Sequence, residues 1–230
     1  MPLLLTLLLV LTAAVPSVAQ PPLRARDVLL IVDDLQAESR TTPQIRQLSA
    51  RLIRAVTVSG GRVAIATTAA EGSLTSLTGE EEELTSAIAR ITGEGTQPSD
   101  VLDAGGQPRD EAQRRASLAI SRAAAAVTAF ASVARERGAA EVVFISPGYR
   151  RPPGVGSDAL VEAALGAGVV VHAVDVRVVA GDSGPNSSAW RSHANASRAM
   201  LAGLAAQTRG IAVLGRPDLE ELIVRLRGGK

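Results

Sequence analysis

The chain has no cysteine. It therefore has no thiol nucleophile, and no disulfide can brace it. Aromatic side chains make up only 2% of it: Phe130, Phe144, Tyr149 and Trp190. So few rings cannot build a platform for stacking bases. An excess of charge of one sign is missing as well. Lys and Arg number 24 against 23 Asp and Glu, a formal net charge of +1. A near-neutral surface argues against a binder of phosphate backbones, so no nucleic-acid partner is expected. No Gly-x-Ser-x-Gly occurs, so the chain lacks a hydrolase elbow. Gly93-Glu94-Gly95-Thr96 is not followed by lysine and is not a phosphate loop.

The first residues read as a targeting segment. Leu3 to Val15 is apolar apart from Thr6 and Thr12, and Ser17-Val18-Ala19 supplies small residues at a cleavage site before Gln20. The basic start of such segments is absent. The apolar run is short for a bilayer span and is followed by Pro16. The reading is a signal peptide over 1–19, a linker over 20–26 and one domain over 27–230. The alternatives are an uncleaved membrane anchor and a buried first helix. Export places the protein in the periplasm or outside the cell, with membrane association only if the segment is retained. Roughly 210 residues then remain, enough to bury about 70% of the unfolded surface in one core. Without disulfides, that core of Ala, Val, Leu and Ile must hold the fold.

Strands and helices alternate along the rest. Val28 to Val32 is a continuous apolar run, as in a strand covered on both faces. Thr42-Pro43 opens a helix. Ile45, Leu48, Leu52 and Val56 recur along it at helical spacing, and Gly60-Gly61 ends it. A strand is expected over 62–67 and a helix over 79–91, whose first-turn Glu80 to Glu83 suit the positive end of a helix. A loop follows over 92–108. A long helix over 109–137 presents Ala112, Ala116, Ala119, Ile120, Ala123, Val127, Phe130 and Ala134 as its apolar stripe. Then come a strand at 141–146, a helix at 158–165, a strand at 169–174, a helix at 189–207, a strand at 211–214 and a helix at 219–227. Such alternation predicts an α/β fold: three layers, a mostly parallel central sheet, helices on both faces, and right-handed crossovers.

Three stretches together resemble one family. Asp27-Val28-Leu29-Leu30-Ile31-Val32-Asp33-Asp34-Leu35 is similar to the first strand of von Willebrand factor type A (vWA) domains, notably the bacterial VWFA-related group with Asp-Asp-Leu after the strand. Val169 to Val176, ending on Asp175, is similar to that group's late strand. Leu201 to Leu222, with Thr208-Arg209-Gly210 before a short strand, is similar to its closing pattern. The resemblance covers residues 27–227 and implies the same three-layer, Rossmann-like sheet.

It also implies a place for a divalent cation. The family's adhesion site takes Asp-x-Ser-x-Ser after the first strand, a threonine from a middle loop and an aspartate after the fourth strand. These oxygens hold magnesium or calcium, with one position open to a partner's carboxylate. Carried over, Asp33 matches the first aspartate and Thr96 the threonine. Leu35 and Ala37 stand at the serine positions, and Ser146-Pro147 stands where the late aspartate belongs. The site is degenerate: no metal and no cofactor are expected, with Asp33 and Thr96 as the residual candidates and Asp34, Asp100 or Ser146 as substitutes. Asp33 and Asp34 are then expected to cap the following turn by accepting from backbone amides.

Other residues are weighed individually. His172, inside an apolar strand, reads as a core histidine. His193, beside Trp190 and Arg191, reads as surface. Gly154-Val155-Gly156-Ser157 before a helix is a turn or an anion cradle. Asn186 and Asn195 stand in glycosylation-type triplets. Tyr149-Arg150-Arg151 follows a strand on the edge where family members meet partners, and Tyr and Arg are enriched at interfaces.

The function expected is an exported, non-catalytic vWA-like interaction module that binds an unidentified protein partner without metal. Asp33, Asp34, Thr96, Tyr149, Arg150 and Arg151 are its candidate contact residues. The alternative is an enzyme or small-ligand binder using the strand-end carboxylates Asp33, Asp34 and Asp175. The two differ in whether those carboxylates line one concave pocket.

Overall fold

The computed structural model describes residues 26–95, 97–134, 140–150, 159–181 and 184–228. The expected signal segment and all of the linker except Arg26 lie outside these residues.

Five strands form one sheet. β1 (Asp27–Val32), β2 (Arg62–Thr67), β3 (Ala140–Ser146), β4 (Val170–Asp175) and β5 (Ala212–Val213) lie in the order β2-β1-β3-β4-β5. Every neighbouring pair is parallel. β1 and β3 are interior, as their two-sided apolar character predicts. In register, Val32 faces Ile145 across one pair and Ser146 faces Asp175 across the next. All strands therefore end on one edge, where the carboxylates sit.

The pleat divides each strand between two cores. Val28, Leu30, Val32, Ile65, Val143 and Ile145 point to one face. There they meet α1 (Thr42–Thr57), α2 (Glu81–Ala89) and α8 (Arg216–Leu226), through residues such as Ile45, Leu52, Leu84 and Leu222. Leu29, Ile31, Val142, Phe144 and Val171 point to the other. That face is covered by α4 (Asp110–Ala134), α5 (Ala159–Ala167) and α7 (Ser188–Gln207), through Val127, Phe130, Leu160 and Leu201. The three-layer α/β architecture is thus as the alternation predicts. α4 is long and apolar enough to cross a membrane by length and composition alone. Here its stripe from Ala116 to Ala134 is buried against the sheet.

Several boundaries differ from expectation. The 92–108 loop contains the single turn α3 (Pro98–Val101), and α6 (Arg177–Ala180) follows directly on β4. β5 is reduced to two residues. α8 starts at Arg216, not Leu219, because Asp218 Oδ2 accepts from the amides of Leu214 (3.0 Å) and Gly215 (2.9 Å) and so caps the turn before it. Gly215-Arg216-Pro217-Asp218 carried that signal.

At the opposite edge of the sheet, His172 is fully buried. Its Nδ1 accepts from the Ile211 amide at 3.0 Å, so the ring proton sits on Nε2 and is offered to Glu141 Oε2 at 3.2 Å. The core reading of this histidine holds. Glu141 also pairs with Arg26 at 2.7 Å and Arg225 at 3.3 Å. Burial pushes its carboxyl up, but the hydrogen bond from His172 and the charges of Arg26 and Arg225 outweigh that and hold it below the usual range.

Candidate functional site

The strand ends deliver three carboxylates to one edge, each enclosed in a different way. Asp33 follows β1 and is 0% exposed. Its Oδ2 accepts from Ser146 Oγ at 2.6 Å and from Gln36 Nε2 at 2.5 Å, and its Oδ1 accepts from Thr68 Oγ1 at 2.9 Å. Thr68 in turn accepts from the Leu35 amide at 3.2 Å. Burial pushes the Asp33 carboxyl up to about 6, against the pull of these three side-chain donors, with the neighbouring Asp34 charge adding to the rise.

Asp34 is buried too, and its Oδ1 accepts from the Ala69 amide at 2.7 Å. Burial raises its carboxyl, and that amide offsets part of the rise. The capping expectation is thus corrected. Asp33 is satisfied by side chains and Asp34 chiefly by the Ala69 amide beyond β2, because parallel pairing sets the end of β2 beside the end of β1.

Asp175, the last residue of β4, is 0% exposed. It accepts from the Arg177 amide at 3.0 Å, from Arg177 Nε at 2.8 Å and from Arg198 Nε at 2.9 Å. Arg177 Nη2 donates onward to the Pro147 carbonyl at 2.9 Å. This cluster fixes the loop after β3. Gly148 completes it: its φ is +69°, and a Cβ there would lie 2.7 Å from the Ser197 carbonyl of α7. Only glycine lets the loop press this closely on the helix.

The degenerate cation site can be tested against these contacts. Leu35 and Ala37, at the serine positions, are both buried, and Ala37 packs into the apolar core on one face of the sheet. The oxygens of Asp33 are occupied by protein donors whose protons point at the carboxylate. The loop after β1 therefore brings no hydroxyl of its own to a divalent cation, and the hydroxyls that converge on Asp33 are those of Thr68 and Ser146. Among the described residues no group of three or more His, Cys, Asp or Glu side chains could hold a metal. Gly93-Glu94-Gly95 does pack on this loop. Glu94 N donates to the Asp34 carbonyl at 2.7 Å and Gly95 N to the Ala37 carbonyl at 2.8 Å. A Cβ at Gly95 would meet the Gln36 carbonyl at 2.0 Å. Thr96 itself, like Arg151 and the 154–157 turn, lies outside the described residues.

The three carboxylates do not converge on one pocket. Asp34 borders a shallow cleft of about 220 Å³ beside Thr67, Ala69 and Arg90. A separate crevice of about 90 Å³ opens beside the ends of β3 and β4, and neither Asp33 nor Asp175 lines it. Its walls come from the loops after β1, β3 and β4 and from the first turns of α4 and α7. Arg115, Tyr149, Arg150, Arg177, Trp190 and His193 are its larger side chains. Tyr149 and Arg150 are half-buried here, because Tyr149 leans on the core face shared by α4, α5 and α7.

His193 corrects its surface reading. It is 8% exposed and stacks at a tilt against Trp190, with ring centroids 5.4 Å apart. Its Nδ1 is buried and has no hydrogen-bond partner among the described residues. Burial, reinforced by the charges of Arg177 and Arg150, lowers its midpoint to about 4, so the ring is neutral at pH 7. The polar residues around it, Arg191, Ser192 and Asn195, hid the burial. The helical spacing of Trp190, His193, Ser197 and Leu201 was the signal available. Thr68, Gln36 and Arg198 were likewise missed, since their partners are distant in sequence or lie in a turn with no fixed motif.

No protein-family model matches the chain, and no curated protein matches it. Among solved structures, an aerotolerance-related membrane protein from Bacteroides fragilis NCTC 9343 is similar at 12% identity and a TM-score of 0.49, over 85% of this chain and 94% of that one. The pilus adhesin SpaC from Lactobacillus rhamnosus GG, in its open conformation, is similar at 11% identity and a TM-score of 0.53. The match covers 90% of this chain but only 30% of the adhesin. At this identity the likeness is one of fold.

Proposed function

We propose that the protein is an exported, non-catalytic interaction module of vWA-like type that binds a protein partner without a divalent ion. The observation that carries this reading is the closure of Asp33. Its oxygens are taken by Ser146, Gln36 and Thr68, and the carboxylate is sealed from solvent. A fully enclosed carboxylate neither meets a substrate nor lends an oxygen to a hydrated cation. Catalysis by Asp33, Asp34 and Asp175 acting together finds no support, because they border no common cavity. What the edge offers outward is the loop after β3, with Tyr149 and Arg150 as contact residues and Arg151 and Thr96 as further candidates. Asp33 and Asp34 hold the loops beneath them. Export rests on the Leu3–Ala19 segment of the sequence.

The test is affinity capture from the exported fraction with the immobilised chain, run in parallel with millimolar magnesium and with a chelator. The reading expects one partner retained equally in both, and lost from the Tyr149→Ala/Arg150→Ala double variant. Release of the partner by chelator would overturn metal independence. Retention by the double variant would move the contact elsewhere.

A further inference from the structure

The crevice beside His193 has a chemistry of its own. Arg150 makes no hydrogen bond or ion pair among the described residues. Arg177 spends Nε on Asp175 and Nη2 on the Pro147 carbonyl, which leaves Nη1 available. Asp175 is shared by two guanidiniums, Arg177 and Arg198. Glu111 is likewise shared by Arg114 and Arg115, and Glu38 pairs with Arg40. Among the described residues the charges around the crevice thus add up to an excess of positive ones. A cation is repelled there and an anion attracted.

His193 supplies the second observation. A buried polar nitrogen without a partner costs roughly 1–3 kcal/mol. A neutral imidazole can place its one proton on Nδ1 and donate it. His193 lines the crevice, but its Nδ1 is sealed from water, so the ring must turn slightly before that nitrogen can donate to an acceptor there. The space sets the size of the guest. A volume of about 90 Å³ has room for a carboxylate with one or two methylenes. Ala112, Ala116, Val176 and Trp190 offer apolar wall for the methylenes.

We propose that this crevice receives one small carboxylate on an apolar stem, the side chain of an aspartate or glutamate presented by a protein partner, held by Arg150 and Arg177 and completed by a hydrogen bond from His193. This rests on the interaction-module reading and names the group that such a partner would insert. Binding is direct, from guanidinium and imidazole to carboxylate, and the site is separate from Asp33.

The chain has only two histidines, so imidazole signals in a proton–carbon NMR spectrum report the site directly. His172, sealed in the core, serves as the internal reference for folding. The labelled chain is titrated with a glutamate residue blocked at both ends, with its glutamine analogue, and with inorganic phosphate. The expected result is a saturable shift of the His193 signal with the glutamate compound alone, while His172 stays fixed. With the site filled, the His193 midpoint should rise by about one pH unit, as a nearby opposite charge requires. The charged groups that line the crevice with it are Arg177, Arg150, Arg115 and Glu38.

Arg150→Gln should weaken binding about tenfold, the loss expected for one charge-assisted hydrogen bond. It lies in a loop, and an unmoved His172 signal certifies its fold. Equal shifts from the glutamine analogue or from phosphate would overturn the carboxylate assignment. No shift of His193 at millimolar glutamate compound would overturn the site itself. If the captured partner were still retained by Arg150→Gln, the crevice inference would fall while the module reading stood. If no partner were captured yet the glutamate compound bound, the reverse would hold.

Discussion

Ser146 Oγ lies 2.6 Å from Asp33 Oδ2, and neither residue is exposed to any extent. This bond ties the ends of the two central strands together across 113 positions of sequence. It puts a hydroxyl proton where a cation-binding site would need a bare oxygen. Three consequences for measurement follow from the closed carboxylate and its neighbours, and two more from elsewhere in the chain.

Magnesium or calcium at millimolar concentration should leave the melting temperature unchanged. A ligand bound only to the folded state stabilises it by roughly 2.7 kcal/mol at a hundredfold excess over its dissociation constant. An upward shift that vanishes in Asp33→Ala would show that the site is rebuilt through other oxygens.

Two buried groups should oppose each other in acid. Asp33 has its midpoint raised from 3.8 to about 6, so the native state takes up a proton before the unfolded chain does. Its ionised form costs about 3 kcal/mol at pH 7, and this cost is relieved as pH falls from about 6 to below 4. His193 has its midpoint lowered from 6.5 to about 4, so the unfolded chain binds the proton first. Its contribution is present above pH 6.5 and is lost as pH falls towards 4. The contributions of these two groups should therefore largely cancel between pH 4 and 6.5. Asp33→Asn should lose stability on acidification across that window, and His193→Gln should gain it. Urea unfolding at several pH values reads both, and parallel profiles for the two variants would refute the pairing.

Gly148→Ala should destabilise by about 1–3 kcal/mol, because φ of +69° strains an L residue and the added methyl meets the Ser197 carbonyl. The effect should extend to the Tyr149–Arg150 loop, so partner capture should weaken beyond what the lost stability explains. Gly166→Ala, where a Cβ meets nothing within 4 Å, is the matched control.

Glu141→Ala should cost about 3 kcal/mol or more, since it leaves Arg26, Arg225 and the His172 proton without their acceptor at the far edge of the sheet. Partner binding should survive in the folded fraction. Loss of binding at unchanged stability would mean that this edge also takes part.

N-terminal sequencing of exported protein should begin near Gln20. Protein that retains residues 1–19 would point to the anchored alternative.

The layers were legible because strand and helix carry different periods. Val28–Val32 showed no alternation, as a strand covered on both faces must, and α4 displayed its stripe at a period near 3.6. The candidate site was legible only where chemistry sits on the strand itself. Asp33, Asp34 and Asp175 could be placed at strand ends, but Thr68 and Ser146 became their partners only through the register of β2 and β3 on either side of β1. Burial of His193 was hidden for a related reason. Its neighbours along the chain face solvent, and the loops that cover it come from 36–41, 147–150 and 176–181. Local pattern records which face of a helix is wet, not which distant loop closes over it.

The strand order has a consequence in time. β1 pairs on one side with β2, which follows it closely, but on the other with β3, which begins only at Ala140. The middle of the sheet cannot zip until that late strand arrives, and the entropy of closing so long a loop must be met before any of its contacts form. A chain cut after α4 would keep β1 and β2 but leave one side of β1 bare. Folding should accordingly run slower than for a helical domain of equal length. Until β3 docks, Leu29 to Val32 is an uncovered apolar strand edge, the stretch that a holding chaperone would need to shield.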